Sequence, residues 1–295
     1  MDAAFLPKLA PADLPGARDV LDAAGCAWWE ASFSDEHHNG VLVGWGFGHP
    51  GARGWHERAV PARVVPSLLL VVWAKGRTAF WLHQRYDEEA AAWQEPAGRW
   101  RFGKSQVETL RDLKAQVVIA RIDCALPGTR HRLIGHVEMG GVPRRSGGAR
   151  DYADELWSPL MGPGQGRAIL TVGEDIHFHL QGDAQHHRYA RSQPWARQGI
   201  VIAGYASLPD RTYSYQVRRH PDGRLCATGV VIDEAGHSSP SHLLDVELDG
   251  SEALWEGMTL RAGADPWLHV ESIATSTNGA DGTAFLSRNR APMPL

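Results

Sequence analysis

The feature that most constrains this chain is a rhythm of short β-forming runs broken by turn residues. Val41–Phe47, Ser67–Ala74, Thr78–Tyr86, Ala115–Ile122 and Arg130–Glu138 are rich in Val, Ile, Leu, Trp or Tyr and bounded by Gly, Pro or Asp. After a Gly/Pro break the pattern resumes at Arg167–Val172, Asp175–Gln181, Gly199–Ser207, Thr212–Arg218, Arg224–Ile232, Leu243–Leu248 and Ala253–Arg261. Runs of this length, punctuated so often, are the signature of antiparallel β architecture. Two turns are explicit: Gly173-Glu-Asp175, and Pro221-Asp-Gly223. Glycine accepts positive φ and aspartate bonds its own backbone, which is hairpin chemistry. The βαβ rhythm of a dinucleotide fold is missing. Asp87–Trp93 is the best short helical candidate, and no amphipathic helix beyond three turns is predicted.

Loops are expected where Gly and Pro cluster. Gly140–Gly166 reads as a long surface connection between β units. Gly46–Val60, with His49, Trp55, His56 and Arg58, reads as a loop able to cover a barrel mouth. Residues 1–27 form an irregular lead-in. A first domain is expected over 28–190 and a smaller second one over 191–295, with 140–166 as the alternative boundary.

Composition narrows the function classes. The chain is 43% hydrophobic and 22% charged, which argues for a folded protein rather than a disordered one. Its formal net charge of −4, with arginines dispersed, gives no electrostatic footprint for DNA or RNA. The longest apolar run, Ser67–Ala74, is too short to cross a bilayer as a helix. The N-terminus lacks a basic segment followed by a sustained apolar stretch, so no secretory signal is read. Cys26, Cys124 and Cys226 are far apart and form no CxxC pair. That suits a reducing compartment, and a cytoplasmic location is expected.

Aromatic and imidazole residues point towards a site. Twelve Trp and 15 His are many for 295 residues. Most of the tryptophans suffice as core, and a minority would line a pocket for a flat or polyene-like ligand. The densest polar constellation is His177-Phe-His179-Leu-Gln-Gly182-Asp-Ala-Gln185-His186-His187-Arg188-Tyr189. On a strand, Gln185, His187 and Tyr189 share one face, and His186 and Arg188 share the other. Gly182 is expected to interrupt this strand and re-aim the row, as a bulge does. His177-x-His179 with Asp183 is too common a pattern in a His-rich chain to specify a metal, and none is expected. Ser238-Ser-Pro-Ser241-His242 lacks the elbow and oxyanion device of a serine hydrolase.

With these landmarks in hand, the chain resembles the carotenoid 1,2-hydratase-like (CrtC/AttH-like) lipocalin superfamily, which includes kievitone hydratase and lipocalin-like Diels–Alderases. The resemblance rests on Cys26-Ala-Trp28-Trp29-Glu30, Pro66-Ser-Leu-Leu-Leu-Val-Val72, Arg101-Phe102-Gly103-Lys-Ser105 and Gly182-Asp-Ala-Gln185-His186-His187-Arg188-Tyr189-Ala-Arg191. It spans roughly Trp28 to Tyr215 and implies an all-β fold of two joined lipocalin-like antiparallel barrels with a pocket between or within them. Hydratases of that family carry Tyr, Asp and Asn where this chain has Gln185, His187 and Tyr189, so the acid that protonates an alkene is missing there.

The changed residues fit the family's pericyclases better. A cyclase folds a flexible polyene and polarises a carbonyl by hydrogen bonding, without a cofactor. The resemblance thus implies a cyclase on a hydrophobic polyene or polyketide-type intermediate. Its polarising groups would be His187, Tyr189 or Arg188, and Glu30 a buried acid or base. Trp28, Trp29, Trp45, Trp73, Trp81, His177, His179, Gln185, Trp195 and Tyr205 would line the substrate site. An alkene hydratase or isomerase using Glu30, and a non-catalytic carrier of a hydrophobic ligand, are the alternatives.

Overall fold

The computed structural model describes residues 26–37, 39–47, 65–75, 77–87, 89–94, 98–145, 150–152, 155–191, 200–208, 210–219, 225–241, 243–246, 252–255, 258–261, 274–275 and 281–288. Residues 1–25 of the expected lead-in, most of the expected mouth loop (48–60) and Trp195 lie outside the described residues, whereas Cys26 and Ala27, expected in the lead-in, already belong to a strand. Every regular element among the described residues is a β-strand, as the run-and-turn pattern predicts. Among them no helix is long and apolar enough to cross a membrane, which says nothing about a β-barrel.

The first sheet contains β1 (Cys26–Ser34), β2 (Gly40–Phe47), β3 (Pro66–Ala74), β4 (Arg77–Arg85), β5 (Ala91–Gln94), β6 (Arg99–Phe102), β7 (Ser105–Arg111), β8 (Gln116–Ala125), β9 (Arg132–Pro143), β10 (Arg150–Tyr152), β11 (Glu155–Pro159), β12 (Met161–Val172) and β13 (Ile176–Arg191). Its main path runs β4-β3-β2-β1-β13-β12-β9-β8-β7-β6-β5, all antiparallel. The sheet curls, so that β1 approaches β9 and β3 approaches β6 across the concave side. Alternate residues of nearly every strand fill that side: Ala31 and Phe33, Val41 and Val43, Leu68 and Leu70, Trp100 and Phe102, Val118 and Ala120, Val137 and Met139, Ala168 and Leu170. β8 shows the alternation plainly, buried residues interleaving with more exposed ones. β2 and β3 are buried on both faces, which is why their sequences read as continuous apolar runs.

A second sheet follows, built from β14 (Ile200–Ser207), β15 (Arg211–Arg219), β16 (Leu225–Asp233), β17 (Ser238–Ser241), β21 (Ala274–Thr275) and β22 (Asp281–Arg288). A third, small sheet holds β18 (Leu243–Val246), β19 (Glu252–Trp255) and β20 (Met258–Arg261). The second sheet covers part of the convex face of the first. Arg145 N–H donates to Gly236 C=O at 2.8 Å, and Arg144 Nε donates to Ser238 Oγ at 3.1 Å.

Three expectations from sequence are corrected. Asp87–Trp93 is not helical: a turn closes with Ala90 N–H bonding Asp87 C=O, and β5 begins at Ala91. Trp93 pairs with Trp100 across the strands and stacks on it at 5.9 Å, so aromatic cross-strand packing overrides a weak helical preference. Gly140–Gly166 is not a loop throughout. It holds the end of β9, the β10–β11 hairpin and the start of β12, which pairs with β9 through an irregularity between Met161 and Gly164. Glycine there permits close backbone approach: a Cβ on Gly141 would sit 2.7 Å from Gly164 Cα.

Gly182, lastly, does not interrupt its strand. β13 is continuous, with Gly182 opposite Gly166 of β12. A Cβ on Gly182 would lie 2.1 Å from Ser34 C=O, so this glycine lets the end of β1 press against β13.

Gly98-Arg-Trp-Arg-Phe-Gly103-Lys104-Ser105 has the spacing of a phosphate-binding P-loop. Here it is a β6–β7 hairpin turning at Gly103, whose φ is +60°, and no helix N-terminus follows to hold a phosphate. Ser105 is buried, its hydroxyl bonded to Cys124 Sγ at 3.1 Å.

Gly182→Ala is expected to lower stability by about 1–3 kcal/mol, the range for overpacking a tight contact. A urea denaturation midpoint unchanged by that substitution would show that β1 and β13 do not meet this closely.

Candidate functional site

β13 lies between β1 on one edge and β12 with β11 on the other. Its register with β1 sets Trp28 opposite Tyr189, Glu30 opposite His187 and Ser32 opposite Gln185. The alternate pairs are Trp29 with Arg188, Ala31 with His186 and Phe33 with Ala184. Directly opposed residues share a face, so this one strand pair presents two distinct polar rows.

The first row, Gln185, His187 and Tyr189, lies on the convex face. Trp28 stacks on Tyr189 with ring centroids 4.6 Å apart and planes 11° from parallel. His187 Nε2 is 3.2 Å from Ser214 Oγ of β15, so the second sheet reaches over this part of β13. Gln185 Nε2 donates to Gly162 C=O at 3.4 Å, while its Oε1 is buried with no partner. Ser207 and Thr212, opposed in register and on the same face of the second sheet as Ser214, are buried with unpartnered hydroxyls. The same convex face continues sideways into Leu42, Leu69, Val71 and Trp73, with Trp81 packed against them.

The second row, His186 and Arg188, points into the concave core. Trp45 stacks on His186 at 5.5 Å, and the Arg188 guanidinium sits 4.8 Å from the centre of the Trp29 ring. Gln116 of β8 lies 3.3 Å from His186 Nδ1.

Both imidazoles are held neutral. Burial pulls His187 down to about 4, although the charge of Glu30 pushes it the other way. Burial also pulls His186 down to about 3, reinforced by repulsion from His187, should that ring be protonated, and from Arg111. A neutral ring offers one N–H donor and one acceptor, which suits hydrogen-bond polarisation rather than delivery of a proton from an imidazolium.

The residues singled out from sequence therefore divide. Glu30, His187, Tyr189, Trp28, Gln185, Trp73 and Trp81 share the convex face. Trp29, Trp45 and Arg188 lie on the concave side, so Arg188 is not brought beside His187 and Tyr189. His177 and His179 occupy the convex face too, but further along β13, where they are exposed to solvent. His177 Nδ1 is 3.2 Å from Thr171 Oγ1. Tyr205 lies in β14 opposite Ser214 in register. Ser214, Thr212, Gln116 and Arg111 were not singled out from sequence. Ser214 reaches β13 across 27 residues of chain and Gln116 across 70, and nothing local marks any of the four.

The histidine shifts carry a pH signature. Both folded values lie below the unfolded value of about 6.5, so the unfolded chain takes up these protons first. Stability is then full above pH 6.5 and is lost as pH falls towards 4. The urea midpoint should drop between pH 7 and pH 5, above the range where ordinary carboxylates titrate, and His186→Gln should flatten that drop. A wild-type midpoint constant over this interval would contradict the burial of neutral imidazoles.

No protein-family model matches the chain, and no curated protein matches it. Solved structures do. CghA in its crystal structure with Sch210972 matches with a TM-score of 0.53 at 10% identity, covering 90% of this chain and 88% of that one. A second CghA structure matches with a TM-score of 0.53 at 10% identity over 92% of this chain and 89% of that one. An AttH-type protein from Nitrosomonas europaea matches with a TM-score of 0.53 at 12% identity over 96% of this chain and 99% of that one. At these identities the likeness is one of fold: the chain has the lipocalin-like all-β architecture of CghA and the AttH-type protein.

Proposed function

We propose that the protein is a cofactor-independent cyclase acting on a hydrophobic polyene or polyketide-type intermediate, held on the convex face of β1 and β13 beneath the second sheet. The observation that carries this reading is the buried row of Gln185, neutral His187 and Tyr189, beside the Trp28 ring and opposite Ser214, Thr212 and Ser207. Such a surface combines aromatic area with polar atoms still lacking partners, at Gln185 Oε1, Thr212 Oγ1 and Ser207 Oγ. Buried polar atoms of this kind are costly unless something answers them, and a bound carbonyl or hydroxyl would do so.

The chemistry asked of these groups is modest. A cyclisation needs its reacting carbons brought together and one carbonyl polarised, and a neutral imidazole N–H or a phenol can polarise without giving up its proton. CghA, which has the same fold, was solved with Sch210972, and this supports a small-molecule substrate.

Glu30 keeps an alkene hydratase or isomerase as the second reading. It is half-buried and directly opposite His187.

The test is to incubate the purified protein with extract of the producing organism lacking its gene, in H₂18O, and to compare products by mass spectrometry. A product isomeric with the accumulated compound, free of 18O, is expected. His187→Ala or Tyr189→Phe should slow it by roughly a hundredfold or more while ligand binding is largely kept. A product heavier by one labelled water would replace the cyclase with the hydratase. No conversion, with an unchanged lipid co-purifying, would leave only a carrier.

A further inference from the structure

Arg144 follows directly on β9, at the seam between the first and second sheets, and is only 8% exposed. Arginine is rarely so deeply buried, and this one spans the seam. Its Nε donates to Ser238 Oγ of β17 at 3.1 Å. Its Nη1 donates to the Pro159 carbonyl of β11 at 3.4 Å and reaches Ser158 Oγ at 3.5 Å. One planar group thus grips the second sheet with one nitrogen and the first with another. Its backbone is fixed as well: the Arg144 N–H donates to the Leu160 carbonyl at 3.1 Å, and Arg111 donates to the Arg144 carbonyl.

Both ends of this clasp lead to His187. On the first sheet, Pro159 stands opposite His187 in the β11–β13 register, and Leu160 N–H donates to the His186 carbonyl at 2.8 Å. On the second, Ser238 is opposite Ile232, Ile232 is opposite Thr212, and Thr212 lies two residues before Ser214. Ser214 is the residue whose hydroxyl meets His187 Nε2. Paired strands move as one hydrogen-bonded ladder, so the place of Ser238 sets that of Ser214. The sheets also meet closely beside the clasp. A Cβ on Gly236 would lie 2.4 Å from the Pro143 carbonyl, and one on Gly162 would lie 2.7 Å from Ile232 Cγ2. A buried cation is a costly way to join two sheets, since well-packed apolar residues would hold as firmly. What a guanidinium adds is direction, because its spread nitrogens fix two partners at once.

We propose that Arg144 is a positioning residue for the candidate site: it seats the second sheet so that Ser214 caps His187 and water is kept from the ring. This rests on the site lying at His187, but not on the reaction assigned to it, and it holds for a cyclase, a hydratase or a carrier alike. The consequence is read at the ring itself. Burial holds His187 near 4 against the charge of Glu30, which faces it from β1. Pro159 of β11 and Ser214 of β15 carry no charge, and Tyr189 lies two residues along β13. Once water enters, the penalty of burial is relieved while Glu30 remains, and the ring returns to its ordinary value or above.

The experiment is 15N NMR of the full-length protein labelled at histidine, with His187→Gln used to assign the ring. In Arg144→Ala, the share of His187 carrying two protonated nitrogens at about pH 5.5 should rise from roughly a few per cent to roughly nine-tenths. His186, enclosed on the other side of β13, should keep one. Arg144→Lys retains the charge, but its single nitrogen cannot serve Ser238 and Pro159 together, so it should titrate as Arg144→Ala does. Ser238→Ala removes only the second-sheet partner; it should move His187 the same way by less, and it carries the test if Arg144→Ala does not fold. Arg145→Ala, the loss of an exposed neighbouring side chain, should change nothing. Three results would each overturn the proposal. His187 staying singly protonated in the folded variants would show that the ring does not depend on the clasp. Wild-type behaviour in Arg144→Lys would show that charge alone suffices. Uptake of protons by His186 and His187 together would show that Arg144 only holds the fold as a whole.

Discussion

The structure depends on the pairing of β1 with β13. These strands stand about 150 residues apart in sequence, yet they pair without a register shift from Cys26 opposite Arg191 to Ser34 opposite Asp183. Because side chains alternate with a period of two, a slip of one residue would exchange the faces. Trp29, Ala31 and Phe33 would leave the core, and Glu30 would enter it. The glycines at 166 and 182 protect this register. Gly182 gives the end of β1 room to lie against β13, and Gly166 takes the face of the Phe33 ring, with the position of a Cβ only 2.4 Å from Phe33 Cδ1. The Trp28–Tyr189 stack adds about 0.5–1.5 kcal/mol to the same pair.

From this one strand pair follows a segregation of charge. The carboxylate of Glu30 lies on the convex face with His187, and the guanidinium of Arg188 lies on the concave face with His186. Each side is covered, by the second sheet or by the barrel's own aromatic core, so each polar group is worth more electrostatically than it would be in water. Water exclusion is also what keeps both imidazoles neutral. Two adjacent histidines thus stand in two environments, and the same desolvation that costs stability at acid pH leaves each ring with one hydrogen-bond donor and one acceptor.

Much of the fold was legible in the sequence, because period-two alternation and turn chemistry are local properties. The strands from Val41–Phe47 to Arg224–Ile232 fall where their β-branched and aromatic residues predict, and the division of residues 185–189 between two faces follows from alternation alone. The errors share a physical cause. In Gly140–Gly166 and at Gly182, glycine reads as a breaker, whereas here it marks places where two backbones or a ring must come close. Trp93 reads as the end of a helix until Trp100 is seen across from it. The partners that give the histidines their character, Gln116 for His186 and Ser214 for His187, come from other strands and carry no motif. Periodicity predicts which way a side chain points, but not what it meets.

His186 and His187 sit back to back on one strand as buried, neutral imidazoles. This arrangement is tested most directly by 15N NMR of protein labelled at histidine and titrated from pH 8 to pH 5, with His186→Gln and His187→Gln used to assign the signals. Both residues should keep one protonated and one unprotonated ring nitrogen at pH 6, while exposed imidazoles such as His177 and His179 provide the comparison in the same spectra. Two protonated nitrogens on either residue at that pH would contradict it, because that ring would then be solvated or paired with an anion rather than enclosed as described.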